Sequence, residues 1–417
     1  MAALSAKPEL NPELTSFFSG LFARTKTAVV ASGSSTAIYV VLAILVLFGI
    51  GMLIYYYRST RMLETQANIT RVAQTSAKSY SAYDVANPKR KGLRDYLKGL
   101  KQSGVPDTHL SLTNFYIATV NAAGIFLPAK DNTVSQAAIR SAVLGGARAF
   151  VFDIWPDLTP GAQFAPIIQA VEAGSQWRRI SLNSGTFISL LRTLVQEALE
   201  VEGRPGYEDP LMLYLRFRGT PRPQTYTGTA NALRAVIEPY RLGAAYNNCR
   251  AQDRIFTTPI VNLLKKIIVV SNVRADGNLL SDFINVGPRD GVKLEWAPRE
   301  ANGLSEEARR DAIRKIQQNL CFVAPATTDP DTENNYDFKI AQSIGVHFTA
   351  MNYWNDNDTL KEYMKPDMFG VQSFKIKPES LRYVIEVLPA PRVPQDPKWG
   401  SGPTAGSPTL PPSLRLP

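Results

Sequence analysis

The chain has 417 residues, 45% of them apolar, a formal net charge of +10, two cysteines and two histidines. That is enough apolar mass for a large folded domain, while Cys249 and Cys321 lie far apart with no Cys/His cluster, which argues against a zinc site or a disulfide framework. The positive excess favours anionic partners such as phospholipid headgroups and phosphates; no nucleic-acid motif accompanies it, so nucleic acid is not expected.

Residues 1–35 carry one amphipathic pattern. Leu14, Phe17, Phe18, Leu21 and Phe22 fall at i, i+3, i+4, i+7 and i+8 after Pro12, the apolar stripe of a helix lying in a membrane interface or against another protein chain. Residues 36–57 are uncharged throughout, and no charge occurs between Lys26 and Arg58. At ~1.5 Å per residue this stretch is long enough for a ~30 Å hydrocarbon core, so a single transmembrane helix is expected. Tyr55, Tyr56 and Tyr57 would form its aromatic belt. Arg58, Arg61, Lys89, Arg90 and Lys91 would then meet the membrane surface, where each cation near anionic lipid is worth roughly 1 kcal/mol. They slightly outweigh Arg24 and Lys26 before the span and tilt the following domain toward the cytoplasmic side. Two glycosylation sequons, at Asn68 and Asn357, would matter only on a lumenal side.

Residues 58–104 read as a helical stalk and basic linker. Residues 105–388 alternate strand-like and helix-like runs. Strands are expected at 114–120, 147–154, 211–217, 266–271, 321–324, 347–353 and 371–376. Helices are expected at 135–144, 187–199, 231–237 and 306–318. Alternation over so many residues predicts an α/β fold with a parallel sheet closed into a barrel. Residues 389–417 hold nine prolines and are expected to be a disordered tail, a possible docking element for a coat or membrane protein.

Five segments of this domain, taken in order, carry a resemblance. They are LTNFYIATVNAAG at 112–124, GARAFVFDIW at 146–155, DPLMLYL at 209–215, Asn335-Tyr336 followed by GVHFTAMNY at 345–353, and FKIKPESLR at 374–382. They resemble the strands of eukaryotic-type phosphoinositide-specific phospholipase C, in its X/Y catalytic barrel. The resemblance implies a TIM-type (β/α)8 phosphodiesterase fold behind the transmembrane helix. It also implies two catalytic histidines and a calcium ion held by an asparagine and carboxylates at the strand tips.

Those residues are mostly missing. On the same alignment the first histidine becomes Asn121 and the calcium-binding asparagine becomes Ala122. One carboxylate becomes Val151, its neighbour survives as Asp153, the second histidine falls near Ile180, and the third carboxylate becomes Arg216. An asparagine amide does not titrate near neutral pH, so Asn121 cannot move a proton. Calcium needs six to eight oxygens, several of them anionic; one Asp beside an Arg does not supply them, so no cofactor is expected. His109 precedes the first strand, and His347 reads as a buried, hydrogen-bonded side chain. Asp153, Arg216 and Asn121 are left as a weak anion site, or as a salt bridge plugging the mouth.

The sequence thus predicts a membrane-anchored pseudoenzyme, a structural or binding module whose partners are membrane lipids. Tethering a coat or virion shell to a bilayer is a role of that kind. Two alternatives remain at this level: an active phosphoric diester hydrolase with displaced catalytic groups, and a headgroup binder that does not hydrolyse.

Overall fold

The computed structural model describes residues 43, 46–57, 67, 71, 90–126, 133–171, 181, 183–204, 206–325 and 335–383. The segments expected at 1–35 and 389–417 lie outside them, as do most of the stalk and part of the expected span. Residues 46–57 are helical, with apolar side chains such as Leu47 and Leu53 exposed. Among the described residues no helix is long and apolar enough to cross a membrane.

In chain order the elements begin with α1 (Leu93–Gln102), β1 (Phe115–Ile117), β2 (Thr119–Val120), β3 (Ile125–Phe126), β4 (Thr133–Val134) and α2 (Gln136–Leu144). Next come β5 (Ala149–Pro156), β6 (Pro166–Ile168), β7 (Gly185–Thr186), α3 (Phe187–Val195), β8 (Leu211–Phe217) and α4 (Pro223–Ile237). Then follow α5 (Gln252–Thr257), β9 (Ile267–Ser271), β10 (Glu295–Trp296), α6 (Pro298–Asn302) and α7 (Glu306–Gln318). The last are β11 (Phe322–Val323), α8 (Phe338–Ser343), β12 (Phe348–Met351), α9 (Asp358–Tyr363) and β13 (Phe374–Ile376).

A parallel ladder runs β9–β8–β5–β2–β12–β11–β10. Val286 extends it past β9 through a parallel bridge to Val270. The closed eight-stranded ring expected from the sequence is not drawn by these pairings: among the described residues no ladder joins β10 to Val286 or β9. The reason lies in the intervening chain. Pro288 has no N–H to donate, Arg289 and Val292 pair with each other across Gly291, and β10 is only two residues long.

Alternation along the strands sorts side chains into two layers. Ala149 and Val151 on β5 face Met212 and Tyr214 on β8, and these fill the lumen with Phe322, Phe348 and Phe374. Phe322 stacks on Phe348 at 4.0 Å and Tyr214 leans on Phe322 at 4.5 Å, so the lumen is a packed core and not a pore. Each such buried ring contributes about 1.5–3 kcal/mol. The opposite faces of the strands pack on α2, α3 and α4 through residues such as Phe150, Phe152, Leu191 and Leu233.

Several boundaries differ from expectation. The strand expected at 114–120 divides at Ala118. Its N–H donates to Ser373 O while its carbonyl accepts from Arg148 and Ala149, so the chain changes from antiparallel pairing with β13 to parallel pairing with β5. Helix α4 starts eight residues earlier than its apolar pattern, with Pro223 in its first turn. The helix expected at 187–199 ends as α at Val195 and continues as a π-turn to Glu200.

The stretch read as a basic linker contains α1, which buries Leu93 and Leu97 beneath the lumen. The Leu93 N–H donates to Asp209 Oδ1 at 2.7 Å, immediately before β8. The chain therefore joins the sheet at the N-terminal ends of its strands, here called the floor. The C-terminal strand ends form the mouth.

Candidate functional site

Seven consecutive buried residues make β8, and alternation puts Met212, Tyr214 and Arg216 on its lumenal side. Arg216 is thereby carried to the mouth with its side chain 1% exposed. Its register partner on β5 is Asp153, also 1% exposed. The two meet as a fork: Nε donates to Asp153 Oδ1 at 2.5 Å and Nη2 to Oδ2 at 2.9 Å. Nη1 donates to Glu295 Oε1 at 2.7 Å and Nη2 also reaches Asn121 Oδ1 at 3.3 Å. Arg218, two residues along the same face, adds an Nε bond to Asp153 Oδ1 at 2.9 Å. Tyr214 Oη donates to Glu295 Oε2 at 2.5 Å.

This cluster balances two guanidinium groups against two carboxylates. Burial opposes the Arg216 charge, but the facing charges of Asp153 and Glu295 hold its pKa above the ordinary arginine value. The forked geometry is what makes burying the charges tolerable, since each unpaired ion would cost several kcal/mol.

The other positions singled out in the sequence fall as follows. Asn121 donates Nδ2 to Asn352 Oδ1 at 2.9 Å and to Pro325 O at 3.3 Å, so its amide is held on both sides. Ala122 sits at φ +46°, a left-handed conformation that asparagine adopts more readily than alanine. Val151 lies one lumenal step below Asp153 in the apolar core. Ile180 lies outside the described residues, as do Arg58, Arg61 and Lys89. Arg90, expected at a membrane surface, donates Nη2 to Gly145 O at 2.9 Å and covers Gly146, where an added Cβ would collide with its guanidinium. The Lys91 N–H bonds Val371 O at 2.8 Å.

Neither histidine is at the mouth. His347 precedes β12 at the floor and is fully buried. Its Nδ1 accepts from the Cys321 N–H at 3.3 Å and its Nε2 contacts Thr113 O at 2.9 Å, a pattern that fits one neutral tautomer. Burial, followed by the nearby Lys377, pushes its pKa well below the usual histidine value. His109 Nδ1 lies 3.2 Å from an Arg382 nitrogen, also away from the mouth.

Sequence reasoning missed Glu295, Tyr214 and Arg218. The Arg218 signal was available, because Arg216 and Arg218 are spaced by two at one strand tip. Glu295 had no local signal, since it reaches the cluster across the lumen from β10. Beside the cluster a cavity of about 500 Å³ opens along the gap between β9 and β10, lined by Arg218, Asn272, Lys293, Glu295 and Glu300.

No family model matches the sequence, and no curated protein matches it either. Solved structures do. PLC21 of L. pealei matches with a TM-score of 0.50 and 15% identity, over 68% of this chain and 39% of that one. PLC21 of S. officinalis matches with a TM-score of 0.50 and 14% identity over the same shares. The chain has a phospholipase C-like fold. It spans about two fifths of the length of those two structures. A calcium-dependent phosphoinositol-specific phospholipase C from Pseudomonas sp. aligns over 65% of this chain and 97% of that one with a TM-score of 0.37 and 10% identity, too low to add to the fold assignment.

Phospholipase C resemblance implies calcium at the mouth, and the residues of this phospholipase C-like chain do not fit it. Both Asp153 oxygens already accept from arginines, and the Arg216 guanidinium occupies the space between Asp153, Asn121 and Glu295. Among the described residues no three His, Cys, Asp or Glu side chains are grouped as a metal would require. A divalent cation would have to displace a buried, fourfold-bonded guanidinium.

Proposed function

We propose that this phospholipase C-like chain is a non-hydrolysing module held at a membrane surface. The observation that carries the reading is Arg216, whose guanidinium is bonded to Asp153, Glu295 and Asn121 where phosphodiester chemistry would need metal and a titrating base. The two carboxylates of the cluster are tied to arginines, and both histidines lie away from the mouth. In this reading residues 36–57 anchor the chain by a single span, with the domain on the cytoplasmic side. Membrane lipids and other coat or membrane proteins are its partners, and a virion shell is one setting for such a tether.

A second reading, a headgroup binder without turnover, is favoured by Arg218. Its side chain is 29% exposed and lines the 500 Å³ cavity while its Nε stays on Asp153. The two readings differ in binding and agree in the absence of turnover.

The test is a phosphodiesterase assay on the full chain in mixed micelles containing phosphatidylinositol or its phosphorylated forms, with and without calcium. No release of the water-soluble headgroup above a denatured control is expected. Calcium-dependent release from the wild type, lost in Asp153→Asn, would overturn the proposal and restore a hydrolase.

A further inference from the structure

The floor carries a second cavity that the mouth does not explain. It measures about 550 Å³ and lies where α5, the loop before β10 and the C-terminal end of α7 come together. This is within the range of small-molecule sites. Its charged lining is Arg289, Arg314 and Lys315 against one carboxylate, Asp253, three cations to one anion. Asp253 is engaged by Arg289 at 2.5 Å, and Lys315 pairs with Asp311 at 2.9 Å. Arg314 forms no ion pair among the described residues; the Asp311 charge within its reach is already held by Lys315. Gln318 also faces the cavity, and the Arg289 Nη1 that bonds Asp253 also reaches Asn319 Oδ1 at 3.5 Å.

We infer that this floor cavity binds a multiply charged phosphate group, presented either by a lipid headgroup or by a small soluble phosphate. Two arginines converging on one cavity suit the planar, bidentate recognition of phosphate oxygens, with Lys315 as a point charge. Asp253 on Arg289 and Asp311 on Lys315 leave the Arg314 charge in excess. The site is separate from the mouth cluster, whose two carboxylates balance its two arginines. It opens on the end of the sheet where the chain arrives through Arg90 and α1 and where Tyr383, at the end of the described chain, bonds Asn114 at 2.6 Å. The lipid source rests on the membrane-surface reading above; binding of a soluble phosphate does not.

The test uses the detergent-solubilised full chain and two probes, inorganic pyrophosphate and short-chain phosphatidic acid, titrated by calorimetry. Saturable binding of at least one probe is expected, weakened tenfold or more in Arg314→Gln and further in Arg289→Gln/Arg314→Gln, with Arg234→Gln on the exposed face of α4 binding like wild type. Arg314 is exposed, so its variant is expected to keep the wild-type melting temperature. Phosphatidic acid binding ten times tighter than pyrophosphate assigns the site to a headgroup; equal affinities assign it to the phosphate alone. No binding of either probe overturns the proposal, and so does binding that Arg314→Gln leaves unchanged. Loss of binding in Arg218→Gln but not in Arg314→Gln would move the ligand to the mouth and favour the headgroup-binder reading instead.

Discussion

Replacing Lys377 by Met should stabilise the protein and flatten its dependence on pH. Lys377 is fully buried at the floor, and its Nζ has no hydrogen-bond partner among the described residues. The Tyr116 ring lies 5.8 Å away, at the limit of cation–π contact. Burial pushes the amine well below the usual lysine pKa; the neighbouring Cys321 opposes this only as a lesser influence. The folded chain therefore gives up a proton that the unfolded chain keeps. Stability rises with pH between the folded and unfolded pKa values, by about 1.4 kcal/mol per pH unit.

An amine placed in an apolar site without a partner opposes folding at every pH below its unfolded value near 10.4. Methionine keeps the stem's packing without the unpaired amine, so a gain of about 1–3 kcal/mol less any repacking loss is expected. The assay is urea unfolding of the full chain in detergent at pH 7.0 and 8.5. Wild type should gain stability relative to Lys377→Met across that interval, by at most about 1.4 kcal/mol per pH unit. His347 titrates below the window, and burial pushes the Cys249 and Cys321 thiols up to about 11 and about 12, so both stay protonated in the folded chain across it; the coupling of Cys321 to Lys377 is a lesser influence than burial. A variant less stable than wild type with an unchanged pH slope would mean that the ammonium is charged and paired, refuting the reasoning.

Two other perturbations probe the mouth and the floor. Asp153→Asn leaves Arg216 buried beside Glu295 alone, which should cost about 3–5 kcal/mol in denaturant unfolding; a loss below about 1 kcal/mol would mean the fork contributes little. Gly146→Ala forces a side chain into a φ of +88° and displaces the Arg90 guanidinium. A loss of about 2 kcal/mol is expected from backbone strain and broken hydrogen bonds, and Arg90→Ala in the same background should add little; full additivity of the two would show that they do not touch.

Much of the sheet was readable because its strands are buried on both faces. A run such as 211–217 is apolar apart from its lumenal tip, and its bounds match β8. The helix at 306–318 was readable from its amphipathic pattern, and its start is fixed by a cap: Ser305 Oγ accepts from the Ala308 N–H, and acidic residues fill the first turn. The pairing of Asp153 with Arg216 was readable because both end adjacent parallel strands of the same lumenal parity. What stayed hidden depends on contacts distant in sequence. α1 looked like a basic linker because its two buried leucines are outnumbered by lysine and arginine. The gap beside β10 follows from a Gly/Pro turn that no strand pattern reports. Glu295 belongs to the cluster only through its position across the lumen, 79 residues from Arg216.

The forked guanidinium at the mouth also sets the terms on which a metal site could be built there. A carboxylate put at position 216 would face Asp153 and Glu295. Until a cation arrived to bind them, three acidic groups would repel one another in a largely buried space. Such a variant would be less stable than the arginine form, so a metal site engineered at this mouth would have to change other residues at the same time.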